Sequence, residues 1–322
     1  MRLLFAGTPD AALPSLRALL DSPHEVVAVL TRADAPSGRG RRLTPSPVKA
    51  LALDAGIEVL TPSTLRDPQV QQRLRELAPE AAAVVAYGAL IPPAVLSIPD
   101  HGWVNLHFSL LPAWRGAAPA QRAVLAGETS TGMTVFRLDE GLDTGEIILT
   151  RPTPIGEHET AGELLGSMAL EGASLLVEAI DALADGTAVL TPQDHDAATH
   201  APKLTPEQAR IDWTAPAEQV SAHIRGMSPD PGAWTTWQGA RMKVLGIGPL
   251  PDGDIPQPAP GALYATKKHL LVGTGTGPLA LTQLAPAGKR PMRAADWARG
   301  AGLETGSAFE STSPQQDEEN QS

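Results

Sequence analysis

An amide and an imidazole stand two residues apart in the run Trp103-Val104-Asn105-Leu106-His107. Apolar residues alternating with polar ones predict a strand, whose side chains i and i+2 project from one face, so Asn105 and His107 point together at a strand end. Further on, Leu138-Asp139-Glu140-Gly141-Leu142-Asp143-Thr144-Gly145 sets carboxylates in a glycine-bounded loop between two β-like runs, 133–138 and 146–150. An amide that donates to an oxyanion, an imidazole that moves a proton and a carboxylate that supports the imidazole are the parts of an acyl-transfer site. Asp139, Glu140 and Asp143 compete for the last part; a solvated turn accounts equally well for Asp139 and Glu140, and a helix or turn cap by Asx bonding for Asp143.

The elements that must position these groups alternate. Strand 2–6, helix 9–20 and strand 25–30 make a βαβ unit; helix 48–55, strand 57–60, helix 69–77 and a buried strand 81–87 continue it. This is the pattern of an α/β domain with a Rossmann-like, doubly wound, mostly parallel sheet, whose ligands lie at the carboxyl ends of the strands. The turn Gly7-Thr8-Pro9-Asp10 lacks the Gly-x-Gly-x-x-Gly spacing, and no Gly-Lys-Ser/Thr follows a strand, so neither a dinucleotide nor ATP is indicated. A long helix over 159–183 closes the domain, and the Gly-, Thr-, Asp- and Pro-rich stretch 185–202 reads as a linker within a first domain of 1–202. Short β-like runs at 232–238, 242–247, 262–265, 269–273 and 279–284 give the second domain, 203–300, the pattern of a small β-barrel of the oligonucleotide-binding (OB) type. Residues 301–322 are small, polar and acidic, the composition of a disordered tail.

The 322 residues carry a net charge of −11, unevenly spread. Residues 203–300 hold 11 basic against 7 acidic residues and are the one basic block. Such a small excess permits contact with a phosphate backbone without requiring it. There is no cysteine, which excludes disulfides, thiolate nucleophiles and Cys-ligated zinc, and the eight histidines show no paired ligand spacing, so no metal is expected. No run of about eighteen apolar residues exists and the start of the chain has no secretory pattern, so no membrane association is expected and the cytoplasm is the predicted location. A monomer is expected.

Three further stretches carry possible contacts. Between the second strand and the next helix, the long loop 32–45 holds Arg39, Arg41 and Arg42 beside two glycines, and such a group of guanidiniums suits adjacent phosphates or simply a solvated loop. Tyr87 and Gly88, at the end of a buried strand, either wall an apolar slot for a flat heteroaromatic ligand or pack in the core. Trp234 and Trp237 stand in the second domain, where they stack on bases or fill the barrel.

Taken in order, Phe5-Ala6-Gly7-Thr8-Pro9, Gly38-Arg39-Gly40, Pro45-Ser46-Pro47-Val48-Lys49, Val85-Ala86-Tyr87-Gly88, Ser109-Leu110-Leu111-Pro112 with Arg115-Gly116-Ala117-Ala118-Pro119, and Gly141-Leu142-Asp143-Thr144-Gly145 resemble the motifs of the methionyl-tRNA formyltransferase family, from residue 2 to about residue 300. The resemblance implies that Asn105, His107 and Asp143 are catalytic, and thereby selects Asp143 among the three acids. It also implies folate contacts at Ser109, Leu110, Leu111 and Pro112, with Tyr87 and Gly88 beside them, and tRNA contacts at Arg39, Arg41 and Arg42. The implied donor is 10-formyltetrahydrofolate, the implied acceptor methionyl-initiator tRNA, and the implied step a direct attack of the amine through a tetrahedral intermediate without a metal. Two departures are visible: Phe108 stands where relatives often carry a small residue, at the folate rim, and Met227-Ser228-Pro229-Asp230-Pro231 lacks a Trp often found between those prolines. Folate-dependent formyltransferases of small amines and a formyl-folate hydrolase share the same three groups. The arginine loop and the basic second domain favour tRNA as acceptor.

Overall fold

The computed structural model describes residues 1–37 and 42–310. Contacts divide the chain into two compact units, one of Met1–Pro119, Ser130–Pro154 and Leu165–Ala201, the other of Ala120–Thr129, Ile155–Leu164 and the chain from Pro202.

The first part of the chain runs β1 (Arg2–Gly7), α1 (Leu13–Leu20), β2 (Glu25–Leu30), β3 (Ala35–Ser37), β4 (Arg42–Thr44), α2 (Pro47–Asp54), β5 (Glu58–Leu60), α3 (Pro68–Leu77), β6 (Ala81–Val85), α4 (Pro93–Leu96) and β7 (Trp103–His107). It continues through β8 (Arg115–Gly116), α5 (Pro119–Leu125), β9 (Ser130–Arg137), β10 (Ile147–Pro154), α6 (Ala161–Ala184) and β11 (His200–Ala201). Seven strands form one sheet in the order β10-β9-β7-β6-β1-β2-β5, parallel from β5 to β7 and antiparallel where β9 joins β7 and β10 joins β9. The mostly parallel sheet expected from the alternation is therefore present. β6 is buried at every position, as a parallel strand covered on both faces must be, and its apolar run Ala-Ala-Ala-Val-Val meets that need. Helices start where the chain offers a cap and a proline: Ser46 accepts from the Lys49 amide ahead of Pro47, and Asp67 from the Gln69 amide ahead of Pro68. One core of this unit gathers Leu4, Leu30, Leu74, Val84, Val95 and Trp103.

Two stretches differ from the sequence reading. The loop 32–45 contains a hairpin, β3 paired with β4. The supposed linker 185–202 is stitched into the first unit: Thr191 bridges Ile147, Gln193 is buried and β11 pairs with β8. Polar composition hid this, because the stretch is held by hydrogen bonds rather than by an apolar face.

The second unit contains α7 (Ala217–Gly226), β12 (Trp234–Trp237), β13 (Ala240–Gly248), β14 (Leu263–Ala265), β15 (Leu270–Gly273), β16 (Pro278–Pro286), β17 (Met292–Arg293) and α8 (Ala294–Gly300). Its sheet is antiparallel, in the order β12-β13-β16-β15-β14 with β17 on β16, and it curls into a small, partly open barrel. Residues 307–310 link the two edges, bridging Ala262 through Ala308 and Thr236 through Glu310. The expected tail 301–322 is thus corrected for its first ten residues. Phe309 is buried, stacked 5.5 Å from Trp213, and it belongs to the barrel core. One aromatic in a polar run is too little for composition to register. Residues 311–322 lie outside the described residues.

Candidate active site

β7 lies between β6 and β9, with Asn105 in register with Val84 on one side and Phe136 on the other. That register fixes where its two polar side chains emerge. Both line a cleft of about 530 Å³ at the carboxyl ends of the strands, with Ala86–Ile91 on one wall and Leu138–Asp143 on the other. Asn105 is half-buried, and among the described residues its side-chain amide has no hydrogen bond within the protein. A donor kept unspent in a cleft is available to a ligand.

His107 is buried, and its Nε2 lies 2.9 Å from the Trp114 carbonyl oxygen. A carbonyl only accepts, so Nε2 carries the proton and Nδ1 presents a lone pair. Nδ1 stands 3.8 Å from Asp143 Oδ2, too far for a hydrogen bond, and that oxygen instead accepts from the Gly116 amide at 2.8 Å. The tautomer is therefore set by the Trp114 carbonyl and not by the aspartate. Burial, more than any other influence, holds the His107 pKa below the ordinary value of 6.5, with Asp143 and the Trp114 carbonyl acting in the opposite direction. The resting imidazole is neutral at pH 7.

The three acids of the loop are separated by what they touch. Asp139 Oδ1 accepts from the Gly141 amide at 2.9 Å and the Thr144 hydroxyl at 2.6 Å, an Asx-type tie that shapes the turn. Glu140 is exposed, and Asp143 aims its carboxylate at Gly116 and His107. Asp143 also has φ 54°, the left-handed region that few non-glycine residues adopt. Gly116 faces it at φ 127°, and a Cβ there would lie 2.7 Å from the Ala201 carbonyl oxygen, so glycine alone lets β8 approach β11.

Among the residues expected to touch folate, Tyr87 and Gly88 line the cleft and Ser109, Leu110, Leu111 and Pro112 do not. Ser109 is fully buried, its hydroxyl donating to the Ala113 carbonyl at 2.6 Å, and Thr134 Oγ1 ties the turn by donating to Ser109 O and accepting from the Leu111 amide. This turn leads the chain from β7 to Trp114. Phe108, the departure at this point, is buried and forms part of the cleft wall. Arg39 and Arg41 lie outside the described residues, and for Arg42 only the backbone, in β4, is described. Trp237 packs edge-on against Trp297 and Phe309 in the barrel core, while Trp234 carries Arg241 over its ring at 4.1 Å and Arg210 at 5.4 Å. No group of three or more potential metal ligands occurs among the described residues, and no helix there is long and apolar enough to cross a membrane.

Two residues not singled out as functional sit directly behind the cleft. Arg115 and Gln193 are both buried and bonded to each other, and Gln193 reaches the backbone of the Asp143 loop. Arg115 stands in the motif Arg115-Gly116-Ala117-Ala118-Pro119, but no sequence signal marks Gln193.

Residues 1–180 match the formyl transferase family and residues 203–302 match the formyl transferase C-terminal domain. The methionyl-tRNA formyltransferase of Thermobifida fusca is 54% identical over 309 residues, covering 96% of this chain and 99% of that protein. The chain belongs to the methionyl-tRNA formyltransferase family. A second family member, from Streptomyces coelicolor, is 52% identical over 95% of this chain and 98% of its own length. The fold is also that of the N-formyltransferase from Helicobacter canadensis, solved with folinic acid and dTDP-3-aminofucose, at a TM-score of 0.66 and 18% identity, covering 87% of this chain and 98% of that one.

Proposed function

We propose that this chain transfers the formyl group of 10-formyltetrahydrofolate to the α-amino group of methionyl-initiator tRNA, as a cytoplasmic monomer. The observation that carries the reading is a single cleft lined by Asn105, His107 and Asp143 together with an apolar slot, in a chain whose relatives of matching length bear the name methionyl-tRNA formyltransferase. Leu90, Ile91, Leu96 and Leu138 give the slot apolar walls suited to a flat pterin ring. The donor is assigned there, against Tyr87 and Gly88, and the turn at Ser109–Pro112 supports the cleft from behind.

The chemistry follows from the tautomer. The neutral amine attacks the formyl carbon, and the carbonyl oxygen gains charge as the N–C bond forms. Asn105 donates to that oxygen, a contribution of about 3 kcal/mol to the barrier for one well-placed donor. Neutral His107 has its one N–H committed to Trp114, so it begins as a base: Nδ1 takes the proton the amine must lose. The imidazolium then faces Asp143, whose negative charge 3.8 Å away stabilises it. As the bond between the formyl carbon and folate N10 breaks, the proton passes from His107 to N10 and tetrahydrofolate leaves. No covalent enzyme intermediate is needed. Arg39, Arg41 and Arg42 are assigned to the phosphates of the acceptor.

The test is to incubate the protein with 10-formyltetrahydrofolate and methionyl-initiator tRNA and to measure formyl-methionine, with methionyl-elongator tRNA and tRNA-free buffer as controls. Initiator-dependent product is expected. Folate turnover without tRNA would reassign the chain to formyl-folate hydrolysis, and no turnover in any arm would return the small-amine acceptors.

A further inference from the structure

We propose that Gln193 is a positioning residue for the transfer reaction, acting with Arg115 to hold the Asp143 loop in its left-handed conformation and so to aim the carboxylate. The proposal rests on the reading of Asp143 as a catalytic group.

The hydrogen bonds define the device without ambiguity. Arg115 Nε and Nη2 both donate to Gln193 Oε1, at 3.1 and 2.6 Å. Arginine only donates, so this end of the side-chain amide is the oxygen, and the other end is the NH2 group. Both of its protons are spent on the loop: Nε2 donates to the carbonyl oxygen of Asp143 at 2.9 Å and to that of Gly145 at 2.7 Å. Arg115 Nη2 also lies 3.1 Å from His195 Nδ1, in the same segment as Gln193. Arg115 and Gln193 are 5% and 6% exposed, so these bonds form away from water, where an unmet donor or acceptor costs most.

The geometry closes into a ring. Arg115 grips Gln193 with its side chain, Gln193 grips the carbonyls of Asp143 and Gly145, and the Asp143 carboxylate returns to the amide of Gly116, the residue bonded to Arg115. Asp143 at φ 54° is strained by an amount on the order of 1–2 kcal/mol, and such a conformation persists only where its surroundings over-determine it. Gln193 supplies that determination from the side of the loop opposite the ligand. It touches neither substrate nor the reacting atoms; its effect runs through Asp143. The stretch that sequence composition marks as a linker thereby becomes part of the catalytic apparatus.

The test compares single-turnover formyl transfer in Gln193→Met, Gln193→Glu, Asp143→Asn and the double variant Gln193→Met with Asp143→Asn, alongside melting curves and folate-donor affinity. Gln193→Met and Gln193→Glu should each lower the transfer rate roughly ten- to hundredfold, the range for losing an orienting contact, with donor affinity within about twofold. Gln193→Glu retains the shape and the acceptor for Arg115 while losing both donors, so it remains informative where the Met variant does not fold. In the Asp143→Asn background the Met substitution should slow transfer no further, because the group it aims is already gone. A wild-type rate in Gln193→Glu, or a full multiplicative loss in the double variant, would overturn the positioning role. Undiminished transfer in Asp143→Asn alone would instead remove the reading on which the proposal rests.

Discussion

The end of β7 and the loop Leu138–Gly145 deliver groups to the same cleft by opposite means. Asn105 and His107 are aimed by strand register: neighbours on both sides fix the backbone, and the alternation of the pleat does the rest. Asp143 has no strand under it. Its loop is held from within by Asp139, from behind by Gln193 and in front by Gly116, residues far apart in the chain. Groups carried on regular structure inherit precision from the sheet, whereas a loop group must acquire it bond by bond.

The largest effects should come from removing the groups themselves. Asp143→Asn should cut turnover by more than a hundredfold with an unchanged melting profile, while Asp139→Asn, in the same loop, should lose only a fraction of it; equal losses in steady-state assays would erase the distinction drawn between the two acids. Asn105→Ala removes one oxyanion donor from the strand side, and a fall in kcat of about 10²–10³ with little change in KM for folate is expected. A change confined to KM would mean that Asn105 binds the ground state only. Gly116→Ala tests the loop side: the added Cβ meets the Ala201 carbonyl oxygen and the backbone sits at φ 127°, so stability measured by urea unfolding should fall by about 1–3 kcal/mol, with activity reduced as β8 shifts. Wild-type stability and rate in that variant would show that β8 and β11 can separate without consequence.

The smallest expected effect concerns pH. Burial lowers the pKa of His107, and also that of His223 in the second unit, so the folded protein stays unprotonated where the unfolded chain binds protons. Stability is therefore full above about pH 6.5 and declines as pH falls through that value toward the folded pKa, by at most about 1.4 kcal/mol per pH unit for each group. Urea unfolding at a series of pH values should show this slope, and His107→Gln should lessen it while leaving the share of His223. A slope unchanged by that substitution would place the linkage elsewhere.

Much of this was legible from the chain. Alternation along 103–107 exposed Asn105 and His107, and apolar periodicity located the seven strands of the main sheet, α1, α2, α3 and α6, and five strands of the second unit, but not β3, β4, β8, β11 or α4. What misled was composition. The polar stretch 185–202 reads as a connection and is instead wound into the first unit, and 301–310 reads as tail while Phe309 fills the barrel. Ser109–Pro112, conspicuous as a motif, forms a hydrogen-bonded turn that leads the chain from β7 to Trp114.

The sequence by itself determined the strands of the main sheet, the amide and imidazole on one strand face, and the family. These are properties of short range, written in the period of the side chains and in contiguous motifs. Only the tertiary structure decided which nitrogen of His107 carries the proton, how Asp143 is held beside it, and that a glutamine fifty residues downstream of Asp143 fastens the loop. Each of these depends on a hydrogen bond between segments remote in the chain, and a hydrogen bond leaves no periodicity behind. Its partners are fixed in direction only once the sheet has brought them within 3 Å.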